Sequence, residues 1–137
     1  MGTCYSVIAK LTFRKGLVQT GLENVKKHLL IGGSRNIDFG FGTYSNFKSL
    51  NDIKTIEDAI KLVFADHQGM CEIEHPNELD YNFNSAFDAS YSWESVIYDF
   101  FKYLSPCLED GSKMKVYPDS GSIKLVIEDG KWKEVGR

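Results

Sequence analysis

The sequence predicts an α+β fold, a two-layer sandwich in which a mostly antiparallel sheet carries about three helices on one face. Three observations lead there. The first strand alternates cleanly, three segments repeat apolar residues at helical spacing, and the last third reads as three strands joined by tight turns. Their order, βαβαββαβββ, has too many adjacent strands for a doubly wound sheet and suits helices gathered on one side. With 137 residues, 42% hydrophobic and 26% charged, the chain is read as a single domain, residues 1–137, large enough to bury a core without staples.

From Tyr5 to Phe13, the odd positions Tyr5, Val7, Ala9, Leu11 and Phe13 are apolar, while Ser6, Lys10 and Thr12 are polar, the pattern of a half-buried strand. Thr20 with Glu23 has the spacing of a capping box, and Leu22, Val25, Leu29 and Leu30 follow at helical intervals until Gly32-Gly33. Ile37, Phe39 and Phe41 then read as a second strand with glycines on its other face. Thr55 and Asp58 cap a second helix whose stripe is Ile56, Ala59, Ile60, Val63 and Phe64. Met70–Glu74 and Leu79–Phe83 pair as a hairpin around His75-Pro76-Asn77.

The stretch from Asp88 to Leu104 holds six aromatic residues and three carboxylates in seventeen positions, which suits either a binding platform or a core. A rotation of 100° per residue decides for core. With Ser92 as N-cap, Trp93, Val96, Ile97, Phe100 and Leu104 share one arc, and Ser95, Asp99 and Lys102 fall opposite. K-M-K-V-Y, a P-D-S-G turn, S-I-K-L-V-I-E, a D-G turn and K-W-K-E-V complete a meander.

The unusual feature is charge. The net value of −3 conceals three blocks: residues 1–35 carry six basic residues against one acidic, residues 36–110 four against fourteen, and residues 111–137 six against four. No Lys or Arg lies between Lys61 and Lys102, an interval with eight carboxylates. Either Lys10, Arg14, Lys26 and Lys27 on one side and Lys113, Lys115 and Lys124 on the other neutralise them in space, or they form an acidic surface that attracts a basic partner.

Motifs for chemistry are incomplete. D-Y-N-F-N-S-A-F-D-A-S-Y places Asp80, Asn82, Asn84 and Asp88 at calcium-loop spacing, but Ser85 and Tyr91 stand where glycine and glutamate are needed. His67, Cys71 and His75 do not complete a zinc set, and the three cysteines match neither a disulfide framework nor a CxxC motif. No phosphate loop or nucleophile elbow is present, so neither a catalytic residue nor a metal or other cofactor is expected. M-G-T-C-Y-S fits the short myristoylation template at Gly2, yet the strand that follows argues against a membrane anchor. A pI near 5.6 disfavours direct nucleic-acid binding, and the odd cysteine count favours a cytoplasmic setting.

These observations lead to a non-catalytic binding or regulatory protein that engages a basic protein surface through Glu72, Glu74, Glu78, Asp80 and Asp88. The alternative is a small enzyme or small-molecule-binding protein with a pocket between sheet and helices, drawing on His75, Tyr81 and Tyr98.

Overall fold

A computed structural model describes residues 2–30, 39, 41, 45–65, 69–90, 93–119 and 121–135. Its strands are β1 (Gly2–Thr12), β2 (Met70–Glu74), β3 (Asp80–Ser90), β4 (Lys113–Tyr117), β5 (Ile123–Glu128) and β6 (Lys131–Val135). The helices are α1 (Val18–Val25), α2 (Ile56–Phe64) and α3 (Trp93–Leu104). All neighbouring strands are antiparallel, and the sheet order is β2-β3-β1-β4-β5-β6. The α+β class and the antiparallel sheet read from the sequence are therefore present.

Alternation sets the core. Tyr5, Val7, Ala9, Leu11 and Phe13 are all buried, and the inward residues of β3, β4 and β5 join them: Tyr81, Phe83, Phe87, Met114, Val116, Ile123, Leu125 and Ile127. Phe64 of α2 sits at the junction of helices and sheet, its ring 4.8 Å from Phe83 and 5.0 Å, edge-on, from Phe100 of α3. Such pairs add about 0.5–1.5 kcal/mol each beyond burial. The aromatic helix α3 buries Val96, Ile97, Phe100, Phe101 and Leu104, so its rings serve mainly as core.

Local signals account for several boundaries. Thr55 and Asp58 form a reciprocal capping box: the Asp58 amide donates to Thr55 Oγ1 at 3.1 Å, and the Thr55 amide to Asp58 Oδ2 at 3.1 Å. Asp129 and Gly130 both have positive φ, 53° and 77°, as the mirror-image two-residue hairpin turn requires. Their amides donate to the Asp110 carboxylate, which ties the β5–β6 hairpin to the segment after α3.

Four expectations need correction or limit. Helix α1 begins three residues before the expected start: Leu17 is its N-cap without a side-chain bond, so Thr20 lies inside the helix. The start is set by a turn at Gly16, whose φ of 80° suits glycine, with the Leu17 amide donating to Arg14 O. Phe39 has no regular structure and Phe41 lies in a turn, so the strand expected there does not form at these two residues; Ile37 lies outside the described residues. Instead, the Phe39 ring meets Trp93 edge-on at 5.5 Å, and burial against a helix replaces ladder bonds. Asp99, assigned to the polar face of α3, is buried. Gly32, Gly33, His67 and Ser92 lie outside the described residues.

Among the described residues, no helix is long and apolar enough to cross a membrane. Gly2 stands in β1 opposite Ser90 of β3.

Candidate binding face

Since side chains alternate along a strand, the residues that do not enter the core define a second face, open to solvent. On β2 these are Met70, Glu72 and Glu74; on β3 they are Asp80, Asn82, Asn84, Ala86 and Asp88. The register carries the rows across the sheet. Glu74 lies opposite Asn82, which lies opposite Lys10, which lies opposite Lys113. In the next row Glu72 faces Asn84, Asn84 faces Ile8, Ile8 faces Lys115, and Lys115 faces Lys124.

The carboxylates expected to bind a partner thus collect at one side of the sheet. Glu72, Glu74 and Asp88 project from this face, and Glu78 is exposed in the β2–β3 connection. The described ion pairs, Arg14 with Glu109 at 3.9 Å and Lys133 with Glu128 at 3.4 Å, involve none of the five. Asn82 separates Glu74 from Lys10 by two inter-strand steps of about 4.8 Å, and Asn84 and Ile8 separate Glu72 from Lys115 by three.

Asp80 plays a more structural part. It accepts from Thr12 Oγ1 at 2.7 Å and from Asn77 Nδ2 at 2.7 Å, and these bonds, that from Asn77 foremost, hold its carboxyl below the ordinary carboxylate range. Asn77 Oδ1 in turn accepts from the amides of Leu79 and Asp80, which closes the turn between β2 and β3. Asp88 lies opposite Cys4, a thiol raised above its usual value by desolvation and by its hydrogen bond to Asp88.

His75 and Tyr81 come together, their rings stacked at 3.9 Å, with His75 Nδ1 3.0 Å from Asp80 O. Burial, aided by Glu57, raises the Tyr81 phenol. Tyr98 stands elsewhere, its ring 6.4 Å from Trp132 of β6. With β6 four strands from β3, roughly 19 Å separates the two places at the usual strand spacing.

Three depressions are lined by described residues. One of about 200 Å³ opens on the sheet face between Ile8, Lys10, Glu72, Glu74, Asn82 and Asn84. Another, about 170 Å³, lies among Phe39, Val63, Phe87, Asp88 and Trp93, where Trp93 Nε1 donates to Val63 O at 2.9 Å. The third, about 210 Å³, is lined by Asn46, Phe47, Lys61, Ala65 and Cys71. Burial pushes the Cys71 thiol up to about 11 despite nearby Lys61, so it stays protonated and weakly nucleophilic at neutral pH.

Asp80, Asn82, Asn84 and Asp88 are alternate outward positions of a single strand, which spreads them along β3 instead of wrapping them around an ion. Among the described residues, no group of three or more His, Cys, Asp or Glu side chains converges as a metal site would.

Sequence reasoning gave less weight to the opposite half of the same face. Lys10, Lys113, Lys115 and Lys124 project from β1, β4 and β5, and Lys131 and Lys133 continue the series on β6. Ile8, Met70, Tyr117 and Val135 are large, apolar and exposed, and all four occupy this face too. Their phase within each strand was the available signal. Comparison with protein-family models, curated proteins and solved structures finds no match.

Proposed function

We propose that this chain is a non-catalytic binding or regulatory protein whose acidic sheet edge engages a basic protein surface. The observation that carries this reading is the exposed set Glu72, Glu74, Glu78 and Asp88, which has no Lys or Arg ion pair among the described residues. Carboxylates gathered without counter-charges raise the local potential, speed encounter with a cationic surface and repel a polyanion. Asp80 adds charge at the rim while holding the turn in shape.

The alternative, a pocket protein built on His75, Tyr81 and Tyr98, is less well supported because two of these residues stack together and the third lies beside Trp132. The raised Cys71 thiol also makes a poor resting nucleophile.

The test compares the wild-type chain with Glu72→Lys/Glu74→Lys/Glu78→Lys in capture of proteins from the native host. Asp80 is left intact, since its bonds support the fold. The wild type is expected to retain basic proteins that the variant loses, and retention should weaken from low to moderate salt. Recovery of the same companions by both chains, unaffected by salt, would sink the reading.

A further inference from the structure

The open face of the sheet is divided by charge. Glutamates occupy β2, and lysines predominate on the β1-β4-β5-β6 side, where Glu128 of β5 is paired with Lys133, with Lys10 directly across from Lys113 and Lys115 directly across from Lys124. Like charges placed directly opposite weaken a sheet, so nothing in the isolated chain rewards this arrangement. None of Lys10, Lys113, Lys115 and Lys124 enters an ion pair among the described residues. The same face carries the exposed apolar side chains Ile8, Met70, Tyr117 and Val135, of which Met70 is 66% exposed.

A surface acidic on one side and basic on the other, with Asn82, Asn84 and Ile8 between, is complementary to itself after rotation. Two sheets meeting face to face about a twofold axis perpendicular to the strands would set acid against acid. An axis parallel to the strands exchanges the two sides and sets acid against base. With that axis over β1, β3 of one copy covers β4 of the other, and β2 covers β5. Rows keep their level along the axis, so Glu72 meets Lys124 of the other copy, Asn84 meets its Lys115 and Ile8 meets its Ile8; in the next row Glu74 meets Val126, Asn82 meets Lys113 and the two Lys10 side chains face each other.

We propose that the open sheet face docks on the same face of a second copy of this chain, in an isologous dimer with its axis parallel to the strands. This rests on the reading of the acidic sheet edge as a docking surface and names Lys124 as the basic group that Glu72 meets. Aligned sheet packing is a common way to cover two such faces, and twofold symmetry makes every favourable contact occur twice.

The test uses sedimentation velocity on the full chain, with circular dichroism to confirm that each variant folds. The wild type is expected to sediment as a dimer at low ionic strength and to dissociate as salt is raised. Glu72→Lys/Glu74→Lys alone and Lys115→Glu/Lys124→Glu alone should each be monomeric. Mixed in equal amounts, they should form a heterodimer, because position 72 of each copy then meets a group of opposite charge at position 124 of the other. A wild type that stays monomeric at all concentrations and salts, or folded variants that fail to pair on mixing, overturns the dimer. If the wild type is monomeric yet captures basic host proteins that the Glu→Lys variant loses, the dimer falls and the acidic docking surface stands.

Discussion

The two faces of the sheet are made by the same strands and obey different rules. On the inner face, Tyr5, Val7, Ala9, Leu11 and Phe13 of β1 pack with Phe64 and Phe100 beneath a cover of helices. On the outer face, Ser6, Ile8, Lys10 and Thr12 of that strand meet neighbours chosen by strand order alone. The inner face needs each residue to be apolar and of suitable size, a property written one position at a time. What the outer face does depends on which strands lie side by side, and that is settled by segments far apart in the chain.

The largest effect that would sharpen this contrast comes from Phe64→Ala. Loss of a ring packed against Phe83, Phe87 and Phe100 is expected to cost about 3–5 kcal/mol in urea or thermal unfolding, whereas Ile8→Ala on the open face should cost far less in dilute solution. Equal losses would mean that the outer face is packed as tightly as the inner.

An intermediate effect lies at the rim. Because the folded Asp80 carboxyl is depressed, its contribution to stability is complete above the ordinary carboxylate value, about 4, and is lost as pH falls through the depressed folded value. Asp80→Asn should therefore be less stable than wild type at neutral pH, with the difference shrinking in acid. A difference that does not change with pH would show that the charge of Asp80 is irrelevant to its bonds with Asn77 and Thr12.

The smallest effect runs in the opposite direction. Lys115→Glu converts the like-charge pair with Lys124 into an attractive one, and in dilute solution should stabilise the chain by about 0.2–1 kcal/mol. High salt should erase the gain, as measured by denaturant midpoints in parallel buffers.

Legibility followed the same division. The alternation of β1, the Thr55–Asp58 box, the stripe of α3 and the Asp129-Gly130 turn are short-range signals, and the structure contains all four. β3 was read only as far as Phe83, yet it runs to Ser90. Ser85 and Ala86 dilute the apolar rhythm there, although Ser85 points inward with its neighbours Phe83 and Phe87. Thr20 and Phe39 misled because sequence spacing is blind to a turn at Gly16 and to a ring seated on Trp93. For the candidate site, alternation told which carboxylates share a face. It was silent on the asparagines that stand between them and the lysines, since that requires knowing that β3 pairs with β1.

The first strand made occupies an interior place in the sheet, between β3 and β4. Thr12 must wait for Ser112, 100 residues later, before its amide finds the hydroxyl that receives it. At ribosomal rates of about 5–20 residues per second, that is a delay of about 5–20 s during which one side of a hydrophobic strand has no mate. A nascent chain built this way should be a customer for chaperones until β4 emerges, and its final zipping should lag well behind the formation of its helices.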